Sequence, residues 1–211
     1  PSFLGQNGAR TYLLVAQTTS EQRSGGGLVG SMGTLQTDHG QIQVGEFHHN
    51  KDFINGSNGN ASEHAVFKGP LGFSFDIRDT FAVPDIARNA EMMNEAWQRS
   101  QYACDVDGIV SVDPVFIQKM VEINGNVTLE DGTVLTGKNT AEYMLNTIYK
   151  EVPVSLQDTY FEYIASTIMN NAFSNMDITK MMKVARSIGE LTRNRHFYAY
   201  TFHDDEAKYF Q

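Results

Sequence analysis

The sequence predicts an α/β fold, a three-layer α-β-α sandwich around a mixed sheet, in one domain spanning residues 1–211. Three observations carry this expectation. Short runs of strand-forming residues interleave with segments of helical period, the signature of layered α/β architectures. The two ends differ in character: residues 1–80 hold 12 of the 41 charged residues and most of the glycines, whereas 81–211 hold 29 and carry the helical stripes. A content of 41 % hydrophobic and 11 % aromatic residues furnishes a full core, which excludes wholesale disorder. No repeat or linker divides the chain.

The apolar run Thr11-Tyr12-Leu13-Leu14-Val15-Ala16 is too short for an ordinary helix and predicts a buried strand over 11–18. Two further runs, 28–36 and 41–47, flank Asp38-His39-Gly40 and form a hairpin. Asn50 to Ser62, rich in Asn, Gly and Ser, is expected as a surface loop. From Pro84 the period changes: Ile86, Ala90, Met93 and Trp97 mark one stripe of a helix that should face the sheet. Residues 107–112 form a strand, and Asp113-Pro114 opens a helix with Asp as N-cap and Pro at the first position. Val127–Leu129 and Thr133–Leu135 flank Glu130-Asp131-Gly132 as a small hairpin. Helices follow over 139–149, 155–173 and 177–192, the last striped by Ile178, Met181, Met182, Ala185, Ile188 and Leu191. A strand over 196–202 and a helical turn at Asp204–Phe210 complete the order.

Several function classes drop out. A net charge of −9 with no basic block predicts no nucleic-acid partner, because phosphate contacts need clustered Lys and Arg. The single Cys104 rules out an internal disulfide and a cysteine-rich zinc site. His48 and His49 are adjacent on a strand and face opposite ways, so no metal centre is assigned. Gly25-Gly26-Gly27-Leu28-Val29-Gly30 matches G-x-G-x-x-G, yet these glycines run into a strand where the dinucleotide fingerprint needs a helix. Val29-Gly30-Ser31-Met32-Gly33 misses the G-x-S-x-G nucleophile elbow by one glycine and also lacks its strand-turn-helix setting.

What remains is an anion site. Successive amides at Gly26 and Gly27 can form a nest for a phosphate, with Arg23 upstream supplying charge. Asp76-Ile77-Arg78-Asp79-Thr80 offers a second guanidinium flanked by carboxylates. The candidate ligand-binding residues are therefore Arg23, Arg78, Glu21, Gly26, Gly27 and Asp79, with Glu21 or Asp79 orienting the two arginines. The plain alternatives are a solvated turn around Arg23 and a surface ion pair between Arg78 and Asp79. Asp85 serves equally as a first-turn carboxylate of the helix after it, Asp113 as a cap, and Asp105 and Asp107 as loop residues.

Gly8-Ala9-Arg10-Thr11-Tyr12-Leu13-Leu14-Val15-Ala16-Gln17, then Glu21-Gln22-Arg23, then Gly26-Gly27-Leu28-Val29-Gly30-Ser31, resembles an uncharacterised bacterial family of membrane-anchored envelope proteins, a domain of unknown function. The closing Arg195-His196-Phe197-Tyr198-Ala199-Tyr200 and residues 204–211 are similar to that family's tail. The family in turn distantly resembles the LytR–CpsA–Psr ligases, which attach glycopolymers from polyprenyl-pyrophosphate carriers to the cell wall. That overlap lies in the early hairpin, in Val106–Asp113, in Asn124-Gly125-Asn126-Val127 and in Leu135-Thr136-Gly137. The departures are specific. The ligases' Arg-x-Asp-Thr segment after the first strand has no counterpart in the glycine run here. Their Tyr-x-Arg-x-Arg segment corresponds to Tyr143-Met144-Leu145-Asn146-Thr147, which has no arginine.

The resemblance implies an extracytoplasmic domain, cut from a longer chain whose upstream part carries a transmembrane anchor. It would sit at the cell membrane or cell wall and bind a polyprenyl-phosphate or cell-wall glycopolymer, with phosphotransferase activity as one possibility. The alternative is a non-catalytic interaction or structural module of the cell surface that keeps the scaffold without the site. A soluble hydrolase is the third reading, disfavoured by the missing nucleophile elbow.

Overall fold

The computed structural model describes residues 2–18, 26–54, 59–72 and 75–207. Its core is a six-stranded mixed sheet. Strand β1 (Arg10–Thr18) pairs antiparallel with β2 (Leu28–Asp38), which pairs with β3 (Gln41–Val44) and with the short β4 (His48–His49). On its other side β1 runs parallel to β5 (Gly108–Val112), and β8 (Phe197–Thr201) closes that edge antiparallel to β5. The order is β3-β2-β1-β5-β8, with β6 (Val127–Thr128) and β7 (Val134–Leu135) forming a separate small hairpin. The central parallel pair is covered on both faces, which explains why β1 is a continuous apolar run rather than an alternating one.

Helices cover both faces. Helices α1 (Ala61–Phe67) and α2 (Ile86–Gln98), with 3-10 segments Asn50–Phe53 and Ile77–Ala82, lie on the side of Leu13, Val15, Ile109 and Tyr198. On the side of Tyr12, Leu14, Ala16, Val110 and Val112 lies a larger set: α3 (Pro114–Asn124), α4 (Thr140–Glu142), α5 (Ile148–Glu151), α6 (Val154–Ser174) and α7 (Ile178–Arg193). A final turn, α8 (Asp204–Ala207), follows β8. This is the three-layer sandwich that the sequence predicts.

Five expectations are corrected. The supposed loop Asn50–Ser62 is only partly a loop. Asn60 caps α1 in a capping box with Glu63, its side-chain oxygen accepting from Glu63 N (3.1 Å) while Glu63 Oε2 accepts from Asn60 N (2.6 Å). Asn50 is buried and donates to Val29 O (2.9 Å). The third strand ends at Val44 and pairing resumes at His48; between them Gly45 still donates to Thr34 O (2.8 Å), so close to β2 that a Cβ would collide with Thr34 Oγ1. The helix expected over 139–149 is interrupted by a π-turn at Tyr143–Thr147 and runs on to Glu151. Of the α2 stripe, Ala90, Met93 and Trp97 are buried as predicted, but Ile86 at the open end is 43 % exposed. Met92 and Met93 fill the core; Met182 does not, being 52 % exposed.

Candidate functional site

In α/β sheets ligands collect outside the carboxyl ends of parallel strands, where backbone donors and loop side chains converge. Here that edge belongs to β1 and β5. The β1–β2 register shifts between Ala16 and Gln17, a bulge of the kind that re-aims a side chain. Gln17 is buried: its Oε1 accepts from Gly27 N (2.6 Å) and its amide donates to Ser111 Oγ on β5. Tyr198, opposite Ser111 on β8, is buried too, which pushes its phenol up. Only glycine fits at 27, since a Cβ there would overlap the Thr18 carbonyl. A Cβ on Gly26 would meet Gln17 Oε1 and Phe81.

Phe81 connects this edge to the predicted acidic segment. It belongs to the 3-10 helix Ile77–Ala82, which also carries Arg78 and Asp79, and its ring stands edge-on to Tyr198 at 5.5 Å. Gly26, Gly27 and the Arg78–Asp79 segment therefore share one edge of the sheet. Glu21 and Arg23 lie outside the described residues. Arg78 pairs with Asp76 and not with Asp79: its Nε donates to Asp76 Oδ1 (2.8 Å) and its Nη2 to Oδ2 (2.5 Å). That hydrogen bond is the main reason its pKa is raised. The Arg78 side chain is still 43 % exposed, so a ligand would share the guanidinium with Asp76, whereas Asp79 is buried. Asp85 caps α2, accepting from Arg88 N (3.1 Å).

Two carboxylate–histidine pairs were invisible in the sequence, because their members stand far apart along the chain. At the carboxyl end of β5, Asp113 Oδ1 caps α3 by accepting from Val115 N and Phe116 N, as predicted. Its Oδ2 also lies 2.6 Å from His196 Nδ1, just before β8. Burial raises the Asp113 pKa, opposed by the Phe116 amide and by His196. With Nδ1 donating, the neutral ring keeps its lone pair on Nε2, the arrangement of an oriented general base. At the opposite end of β5, Asp107 accepts from Thr11 N (2.8 Å) and Arg10 Nη1 (2.9 Å) and lies 2.7 Å from His203 Nε2. Arg10 also reaches Glu206 (2.9 Å), tying α8 to the sheet. Burial pushes Asp107 up, but the Thr11 amide, His203 and Arg10 outweigh it and hold the carboxyl below its usual range. His48 and His49 do face opposite ways: His48 stacks on Tyr102 at 3.5 Å, and His49 Nε2 lies 2.9 Å from Asp158 on α6. Among the described residues no group of three His, Cys, Asp or Glu is placed to hold a metal.

The other notable feature is a cleft of about 210 Å³ between the sheet and the helices α6 and α7. Leu14, Val110 and Val112 form its floor, Met169 and Phe173 one wall, Met181 and Ile188 the other. Phe116 and Phe197, stacked at 5.2 Å, line it beside the Asp113–His196 pair. Every side chain lining it is apolar, so water inside finds no side-chain partner.

A family model described as "Protein of unknown function (DUF4012)" matches residues 7–149, and the chain belongs to that family. No curated protein is significantly similar in sequence. Among solved structures, protein gbs0355 from Streptococcus agalactiae is similar at a TM-score of 0.55 and 12 % identity, over 90 % of this chain and 68 % of that one. TagV from B. subtilis is similar at a TM-score of 0.50 and 12 % identity, over 90 % of this chain and 73 % of that one. The likeness is one of fold, and the fold resembles that of LytR–CpsA–Psr-type proteins. Among the described residues no helix is long and apolar enough to cross a membrane.

Proposed function

We propose that this member of the DUF4012 family is a cell-envelope domain that binds an anionic, lipid-linked ligand. The observation that carries the reading is the all-apolar cleft, which reaches Phe116 and Phe197 beside the polar Asp113–His196 pair. A hydrocarbon chain would occupy the cleft, where burying apolar surface drives binding. Its phosphate would lie at the carboxyl edge of β1 and β5, where Gly26, Gly27 and Arg78 would approach from the opposite face of the sheet, with Arg23, Glu21 and Asp79 completing the site. The ligand class is a polyprenyl phosphate or a lipid-linked glycopolymer. An anchor upstream of residue 1 and an extracytoplasmic position belong to the same reading, supported by the resemblance in fold to LytR–CpsA–Psr-type proteins. Transfer of a glycopolymer's phosphoryl group to a glycan hydroxyl, with the polyprenyl phosphate carrier as leaving group, would also need a base to take the hydroxyl proton, and the Asp113–His196 pair has the geometry to supply one.

Isothermal titration with farnesyl phosphate, farnesol and inorganic pyrophosphate tests the proposal. Farnesyl phosphate should bind most tightly, and Ile188→Trp, which fills the cleft, should abolish that binding. A charge-assisted contact contributes about 1.5–3 kcal/mol, so Arg78→Ala should weaken it roughly ten- to hundredfold. No binding of farnesyl phosphate would leave the non-catalytic surface module as the reading. The engagement of Arg78 by Asp76 and the missing arginines at Tyr143–Thr147 favour binding without transfer over catalysis.

A further inference from the structure

Helix α7 exposes apolar side chains that the fold leaves uncovered. Met181 and Ile188 turn into the cleft, yet Ile178 is 78 % exposed and Met182, one turn on, 52 %. The same helix carries Lys180, Lys183, Arg186 and Arg193 against a single acid, Glu190, in a chain of net charge −9. Lys183 and Arg186 are exposed and, among the described residues, form no ion pair. An apolar stripe bordered by free Lys and Arg is the pattern of helices that lie in the headgroup region of an anionic bilayer. The alkyl stems of Lys and Arg then cover apolar surface while their charges reach lipid phosphates. The chain's cations are few, and their concentration beside exposed Ile and Met is the charge complementarity that singles out an anionic leaflet.

We propose that α7 is a membrane-facing surface, resting on an anionic lipid leaflet through Ile178 and Met182, with Lys183 and Arg186 on the headgroups. The cleft behind Met181 then opens beside the leaflet, where a lipid-linked ligand could enter from the membrane without crossing water. The proposal takes its purpose from the lipid-ligand reading, but its test does not depend on it.

The test is co-sedimentation of the 211-residue chain with phosphatidylglycerol–phosphatidylcholine vesicles and with pure phosphatidylcholine vesicles. Wild type should partition onto the anionic vesicles, and added salt should weaken it. Each cation near an anionic surface contributes roughly fivefold, so Lys183→Ala with Arg186→Ala should weaken partitioning about 25-fold. Ile178→Ser with Met182→Ser should weaken it at least tenfold. All four positions lie on the exposed or half-exposed faces of α7, so unchanged melting temperatures would confirm that the variants fold. Partitioning unaffected by either pair, or equal on neutral vesicles, would overturn the proposal. So would a dimer, seen by analytical ultracentrifugation, that Ile178→Ser with Met182→Ser dissolves, since the stripe would then belong to a second copy. The two readings separate cleanly: Ile188→Trp should lose farnesyl phosphate and keep vesicle partitioning, and the surface pairs should do the reverse.

Discussion

Helices α2 and α7 lie on opposite faces of the same sheet and carry similar apolar stripes, yet they are held differently. Helix α2 buries Asn89, Ala90, Met92, Met93, Ala96 and Trp97. Asn89 donates to Val83 O (2.9 Å), and Trp97 packs against Phe53 at 5.9 Å. Helix α7 is longer and fully buries Leu191 alone. Its carboxyl end meets the sheet, and its amino end stands off to leave the cleft. An amphipathic sequence thus states that one side of a helix is apolar and says nothing about what that side meets. On the α2 face the partner is core. On the α7 face it is a cleft and an open surface.

The largest effect should come from the packed face. Trp97→Ala should cost about 3–5 kcal/mol in urea unfolding, because the large side chain is fully buried and its removal leaves a cavity. A cost under 1 kcal/mol would erase the contrast. Leu191→Ala should cost roughly 2–3 kcal/mol, low in the Leu-to-Ala range because the rest of α7 is only partly buried and can settle into the space.

Helix α6 adds a pH-dependent distinction to its face. Burial, followed by Asp158 and Asp52 and opposed by Lys51, pushes the Glu162 carboxyl up to about 7. Its folded pKa lies above the usual 4.5, so folding favours the protonated form. Stability from this group is therefore full below pH about 4.5 and falls as pH rises through about 7. Glu162→Gln should raise the melting temperature at pH 8 and change it little at pH 4.5; a uniform shift at both would show that the carboxyl is not the cause. At the small end, Ile178→Ser should move stability by less than about 0.5 kcal/mol in thermal unfolding, the range for exposed positions. A larger loss would mean that α7 packs more tightly than its exposure indicates.

The strands were legible because their signal is local. The run Tyr12 to Ala16, the turn Asp38-His39-Gly40 and the cap Asp113-Pro114 each fix backbone geometry within a few residues. Asn60 and Glu63 carry a similarly local signal, the capping box that makes Ala61–Phe67 a helix, but it lies in a polar stretch whose composition is that of a loop. The site was legible only in part. The glycine pair and the 76–80 segment could be named, but not that Arg78 turns back onto Asp76, because two carboxylates flank it and only folded geometry selects one.

Composition and period by themselves determined the layer order, the central apolar strands and the amphipathic helices, since propensity and alternation act over one or two turns. Tertiary structure alone decided that His196 meets Asp113, that His203 meets Asp107, and that α7 stands off α6 to open a cleft. These are long-range choices. They depend on how the two layers of side chains fill the space above a twisted sheet, and no short window of sequence contains both partners.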